Sequence, residues 1–386
     1  MEKKKIKRRV GQLVVSLMML AMGGCCGVLI VKYLEGMKAP RSSIKDMIFG
    51  LIFLLAAMYA AMLLQIIIHE GGHLVFGLLT GYRFSSFRIA CFMFIREDGR
   101  LRLKRLSIAG TGGQCLMIPP ELENGKCPYV LYNLGGPTFN LIAAGLCAGL
   151  SVLLDPYVLV STFFMVMTVV GTAFALMNGI PLHVGGVDND GYNAVSMGKN
   201  REALEAFRRQ MCISSLGAEG KRLREMPEEW FVMPSEEKMK NSMIAAMGVF
   251  ACQRLMDEMK FREADEMMER LLSIDTGIVG LHRNLMRVDR IFCELIDENR
   301  PDHLEKMMDR ELKKFMKSMK NFPSVLRTQY CYSLLAEKDR EKAEKYRGQF
   351  EKMAQKYPYP IDIQVERELM ELGCEAAERK NLEERL

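Results

Sequence analysis

The feature that most constrains this chain is a series of long apolar runs without charge, one of which leads into a metal-binding motif. Met47 to Ile68 carries no charged residue, and Gln65 is its most polar member. A helix of that length crosses the ~30 Å hydrocarbon core of a bilayer at ~1.5 Å per residue. The run continues into Gln65–Gly77, QIIIHEGGHLVFG, which holds His69-Glu70-Gly71-Gly72-His73. On a helix, residues four apart share a face, so two imidazoles placed this way can bind one Zn²⁺. The glutamate beside the first histidine can act on a metal-bound water. The chain has five histidines in all, which makes chance a weak explanation. The plain alternative is a pair of packed helix histidines with no metal. An ionisable residue at the end of a membrane span, or inside it, is costly and marks a functional site.

Three further uncharged stretches accompany this one: Val10–Val31, Tyr129–Leu154 and Pro156–Ile180. The first follows Lys3, Lys4, Lys5, Lys7, Arg8 and Arg9. It reads as an anchor rather than a cleaved signal peptide, because the apolar run continues past the faint Met22-Gly23-Gly24-Cys25 cleavage box. The Asp155-Pro156 turn is so short that the spans on either side must be antiparallel neighbours. Arg83, Arg88, Arg96, Arg100, Arg102, Lys104, Arg105 and Lys126 lie between the second and third spans. With the basic N-terminus, they place the N-terminus, the 83–126 segment and everything after the fourth span in the cytoplasm. The expected location is a bacterial cell membrane, with both the N-terminus and the C-terminal domain cytoplasmic.

Phe84 to Ile108 reads as a β-hairpin turning at Glu97-Asp98-Gly99-Arg100, with Arg100-Leu101-Arg102-Leu103-Lys104 alternating with period two. Beside a proteolytic site such a hairpin could pair with an extended substrate; the alternative is a cover for the helices. Gly110 to Cys115, followed by Pro119-Pro120, reads as a flexible loop. Cys115 could reach the zinc, although a simple loop cysteine is the ordinary reading. Gly71 and Gly72 disfavour helix by roughly 1 kcal/mol each relative to Ala, which implies a close neighbour on that face.

Catalytic zinc needs a third protein ligand and one open position. Asp188, Asp190 and His183 all follow the fourth span. At this point the chain resembles the site-2 protease family of intramembrane zinc metalloproteases. His69-Glu70-Gly71-Gly72-His73, Gly135-Gly136-Pro137-Thr138-Phe139-Asn140 and Asn178-Gly179-Ile180-Pro181 with Asp190-Gly191 carry the resemblance, over roughly residues 45–195. It implies zinc held by His69, His73 and Asp190, Glu70 as general base, and Asn140 and Asn178 as groups that bind substrate or stabilise an oxyanion. Helix–helix hydrogen bonding is the alternative for both asparagines. Here Asn189 precedes Asp190 where the family usually has Leu, and the loop is longer.

The second half is rich in charge and helical in period. Leu255-Met256, Leu295-Ile296 and Leu334-Leu335 are apolar pairs 40 and then 39 residues apart, each followed by Ala264, Leu304 or Ala343 opening a second amphipathic stretch. This resembles stacked tetratricopeptide-type helical hairpins, which present concave surfaces to peptides; an ordinary helical bundle is the alternative.

The expected fold is therefore mainly α: a polytopic bundle of about four spans with a β-hairpin insertion, plus a soluble helical-repeat domain. The expected boundaries are 1–44 for the basic segment and first anchor, 45–197 for the metalloprotease core including the 83–120 hairpin and loop, 198–240 for a linker and helix, and 241–386 for the repeats. The expected activity is zinc-dependent hydrolysis of membrane-spanning or membrane-held proteins, with recruitment of substrate or a cytosolic partner through 241–386. The rival functions are a non-proteolytic metal-binding receptor whose repeat domain is the working part, and a scaffold in which the histidines only pack. The net charge of +6 comes without a basic stripe interleaved with aromatics, which gives nucleic-acid binding no support. Eleven cysteines without a CxxC pair fit reduced thiols rather than a disulfide framework.

Overall fold

The computed structural model describes residues 44–383 except 98, 109–110, 122–126, 185–186 and 198–199, together with scattered positions between 13 and 31. About half of the expected N-terminal anchor, Val10–Val31, falls outside the described residues; the positions described within it are helical. The chain is mainly helical and divides into two compact units, residues 1–84 with 112–201 and residues 85–111 with 202–386.

The first unit is built on three helices long and apolar enough to cross a membrane: α1 (Ile44–Leu79), α2 (Tyr129–Leu153) and α3 (Val158–Gly179). All three pack against one another. Their other faces leave large apolar side chains such as Leu51, Leu55, Leu146 and Leu153 more than half exposed, as lipid-facing positions require. The α1 helix ends where Gly81 takes a left-handed φ of +83° and the Thr80 hydroxyl donates to the Phe76 carbonyl. The Asp155-Pro156 turn brings α2 and α3 together as antiparallel neighbours, as the sequence requires.

Small residues set how closely these helices meet. A Cβ on Gly72 would enter the Gly135 backbone of α2, whereas a Cβ on Gly71 would meet nothing within 4 Å. Only the second glycine of the motif is therefore there for close approach. After α3, a short ladder of β5 (His183–Val184) and β6 (Val187–Asp188) returns the chain to α4 (Asp190–Ser196), which packs on α2 and α3.

Between α1 and α2 lies a small antiparallel sheet of β1 (Arg83–Ile89), β2 (Phe92–Glu97), β3 (Arg100–Arg105) and β4 (Gly113–Ile118), in the order β3-β2-β1-β4. The expected hairpin is present, with Glu97 opposite Arg100 at its turn. It is extended on the β2 side by β1 and then β4, and Gly113–Ile118 forms a strand where the glycine-rich sequence reads as loop. Packing also groups residues differently from the sequence boundaries. Met93, Ile95 and Leu106 are buried in the core of the second unit, so 85–111 goes with the C-terminal half.

The second unit is helical: α5 (Arg201–Ala218), α6 (Ser242–Asp257), α7 (Phe261–Ser273), α8 (Gly280–Ile296), α9 (Pro301–Met307), α10 (Arg310–Ser318), α11 (Pro323–Leu335), α12 (Arg340–Ala354) and α13 (Pro360–Glu383). Consecutive helices pair as hairpins, α6 with α7, α8 with α9 and α10, and α11 with α12. The three apolar pairs noted in the sequence close the first helix of each hairpin. Ala264, Leu304 and Ala343, which follow, are all at most 2 % exposed in the second helices. Each hairpin is amphipathic and buries its apolar face on the next.

Candidate metal centre

Three side chains from two distant segments converge at the end of the motif helix. His69 and His73, one turn apart on α1, bring their Nε2 atoms to 3.1 Å. The Asp190 Oδ2, at the first position of α4, lies 3.1 Å from His69 Nε2 and 3.4 Å from His73 Nε2. Ligands at ~2.0–2.1 Å from a tetrahedral Zn²⁺ are separated by about 3.4 Å along each edge. The three atoms therefore fit one face of such a tetrahedron. Among the described residues this is the one group of His, Cys, Asp and Glu with spacing suited to a metal ion.

The donor chemistry fits as well. His73 Nδ1 lies 2.7 Å from the Tyr132 carbonyl, which can only accept, so Nδ1 carries the proton and Nε2 presents a lone pair. His69 is held by a longer relay. Gln65 Nε2 donates to the Met167 carbonyl of α3, and Asn140 Nδ2 donates to Gln65 O and Oε1. That orientation turns Asn140 Oδ1 to His69 Nδ1, 2.7 Å away. Both imidazoles thus aim unprotonated Nε2 atoms at a carboxylate. Three acceptors this close repel one another unless a cation or added protons lie between them. Burial alone would raise the Asp190 pKa, and a cation seated between the three atoms would oppose that and hold the group as a carboxylate.

Each expected site residue can now be placed. His69, His73 and Asp190 come together. Asp188, on β6, is outside the cluster, and the side chain of His183 lies outside the described residues. Asn189, the departure from the family pattern, staples the loop. Its side chain donates to the Met177 and Ile180 carbonyls and accepts from Leu182 N and Tyr192 N, which caps α4 and presents Asp190 inward. Glu70 is buried beside the histidines. A Cβ on Gly113 of β4 would lie 2.6 Å from Glu70 Oε1, so the β4 backbone runs past this carboxylate. Cys115 is buried in β4 and is not part of the cluster.

Asn140 is fully buried in the relay to His69. Asn178 donates to the Phe174 carbonyl within its own helix, and no bond among the described residues joins it to the metal-binding group. Asn140 therefore makes the helix–helix hydrogen bonds that were the alternative to a substrate role, whereas the bond described for Asn178 lies within its own helix.

Sequence reasoning missed Gln65, Tyr132 and Gly136. A Cβ on Gly136 would lie 2.5 Å from His69 Cε1 and 2.6 Å from the Nε2 atoms of both histidines. Gln65 stood out only as the one amide in an apolar run. Comparison of the chain with protein-family models, curated proteins and solved structures gives no match. The functional argument therefore rests on the site.

Proposed function

We propose that this chain is a zinc-dependent endopeptidase that works within a membrane on membrane-spanning or membrane-held proteins. The observation that carries this reading is the convergence of His69, His73 and Asp190 on one tetrahedral face, with the Glu70 carboxylate alongside. Zinc supplies Lewis acidity and a water acidic enough to be deprotonated near neutral pH. His69, His73 and Asp190 would hold it. Glu70 takes the proton of the attacking water and returns it to the leaving amine. The α1–α2–α3 bundle excludes bulk water, while the polar groups at its end can hold the few waters that hydrolysis consumes.

A helical substrate must unwind before its carbonyl can be attacked. The β4 strand is an edge of its sheet and passes Glu70 at Gly113. It offers backbone groups with which an unwound segment could pair in extended form. The helical hairpins of the second unit fit tetratricopeptide-like recruitment of substrate or a cytosolic partner, in the orientation that the basic loops favour.

The test is Glu70→Gln in purified protein with bound zinc measured alongside cleavage of single-pass membrane peptides. A protease loses cleavage by about 10²–10⁴-fold while keeping roughly one zinc per chain. Undiminished cleavage would overturn the reading. Absence of any cleavage in the wild type, with zinc present, would favour the non-proteolytic receptor.

A further inference from the structure

The second unit contains a cavity of about 300 Å³, walled by α5, α6, α8, α11 and α13. That volume is at the lower end for small-ligand pockets and suits one or two side chains rather than a whole helix. Its lining is partly apolar, with Phe250, Leu285, Phe322, Ile361 and Val365. The rest of the wall is charged, and its charges do not balance. Arg222 bonds Asp257 at 2.6 Å and Glu368 at 2.8 Å. Arg327 contacts Asp289 at 2.6 Å and Glu366 at 3.0 Å. Each guanidinium is thus shared by two carboxylates. Four acids line the cavity, Asp257, Asp289, Glu366 and Asp362, Glu368 not being among them; Asp362 lies one turn before Glu366 on α13 and is exposed, with no hydrogen bond to another described residue. Lys221 also lines the cavity, and the acids still outnumber the bases.

Polar atoms deep in the wall are left without hydrogen bonds. Arg327 is 1 % exposed with Nε unpartnered, and Glu366 Oε2 faces Arg327 without hydrogen-bond geometry. Buried polar atoms are normally satisfied by protein, water or ligand. A small metal ion does not fit, because no carboxylates here cluster at ligand spacing among the described residues.

We propose that this cavity binds a linear cationic side chain of a polypeptide, a lysine ammonium or an arginine guanidinium, with Asp362 receiving the charge and the apolar wall covering the stem. An anion would meet the excess of carboxylates. A long basic side chain offers both required parts, a charged head and a methylene stem that packs on apolar surface. The neighbouring hairpins extend the surface beyond the cavity, as a peptide-binding array does. The proposal rests on the recruiting role assigned above only in naming a polypeptide as the source of the cation.

The experiment uses the full-length protein carrying Glu70→Gln, in detergent micelles, so that binding is read apart from cleavage. The probe is a fluorescein-labelled, N-acetylated decapeptide of Lys, Leu and Ser, followed by anisotropy. The expected result is saturable binding, lost when every lysine of the peptide is acetylated. Asp362→Asn should weaken it at least tenfold in a protein that still melts cooperatively, while Glu375→Gln at an exposed position of α13 leaves it unchanged. No saturable binding, equal binding of the acetylated peptide, or unchanged binding by Asp362→Asn overturns the proposal. Displacement by spermidine at concentrations below the peptide's Kd would make a free polyamine the source of the cation and overturn the peptide assignment. A failed cleavage test at Glu70 would sink the protease reading and leave this measurement standing.

Discussion

Replacing Gly136 by alanine adds a single methyl group, and the geometry says where it must go. The new Cβ would lie 2.5 Å from His69 Cε1 and 2.6 Å from Nε2 of both His69 and His73. Ordinary contacts of such an atom begin near ~3.4 Å, so the rings or the α2 backbone must retreat by about 1 Å; interiors this dense do not absorb that freely. Zinc–nitrogen bonds are ~2.0–2.1 Å, and a ligand displaced by half that length no longer coordinates. Loss of a group that merely orients a ligand costs ~10–100-fold in metal affinity. Gly136→Ala moves the ligands themselves, so the expected loss exceeds about 100-fold, or ~2.7 kcal/mol. The assay is zinc competition with a chromophoric chelator in detergent, with Gly71→Ala as the matched control. That position meets nothing within 4 Å, and alanine there favours helix by roughly 1 kcal/mol. Unaltered zinc affinity in Gly136→Ala would show that the two histidines do not form the metal site.

Two further outcomes follow from the same geometry and from the second unit. Asp190→Asn should remove stoichiometric zinc while Asp188→Asn retains it, measured by elemental analysis of purified protein; the reverse pattern would reassign the third ligand. Glu366 is held up to about 7, first by burial and then by repulsion from Asp289 and Asp362, with Arg327 opposing both. A carboxyl raised in the folded state contributes stability below its ordinary value of 4.5, and that contribution is lost as pH rises through 7. The second unit should therefore melt less stably at pH 8 than at pH 5 by about 3 kcal/mol from this group alone, and Glu366→Gln should flatten the difference. The single tryptophan, Trp230, reports that transition by fluorescence; an unchanged pH profile in the variant would refute it.

The cluster of His69, His73 and Asp190 was legible in sequence wherever spacing along one helix or a short loop determines it. His69 and His73 share a face because they are four apart. Asp190 was distinguishable from Asp188 by the glycine after it, and Gly191 is needed because a side chain there would strike the Gly179 backbone. What could not be read is contact across the bundle. The Tyr132 carbonyl that fixes His73 is backbone and has no residue signature. Gly113 and Gly136 are ordinary glycines until Glu70 and the two imidazoles are placed against them. The hairpin posed another difficulty. Phe92-Met93-Phe94-Ile95 is apolar at every position, so periodicity shows no inner face; packing shows that Met93 and Ile95 turn into the second unit's core while Phe92 and Phe94 remain exposed.

The relay through Gln65, Asn140 and His69 explains why amides rather than carboxylates orient this ligand. A divalent cation held by two neutral imidazoles, with Asp190 and Glu70 as carboxylates, would leave the proposed centre without net charge, which suits a site at the edge of a low-dielectric bundle. An orienting carboxylate would upset that balance. Asn140→Asp makes the point testable, because it keeps an oxygen facing His69 Nδ1. The lost amide had donated to Gln65 O at 2.9 Å and to Gln65 Oε1 at 2.7 Å, and both acceptors would then face an anion. The Gln65 carbonyl keeps its bond within the helix, and leaving the buried Oε1 unpaired costs ~1–3 kcal/mol, so the bundle should lose about 1–3 kcal/mol of stability. Zinc affinity should fall by ~10–100-fold through the disturbed imidazole. Both are measurable on one preparation, by thermal melting in detergent and by chelator competition. If Asn140→Asp bound zinc as tightly as wild type and melted at the same temperature, the relay would be incidental and the orientation of His69 would have to come from the helix alone.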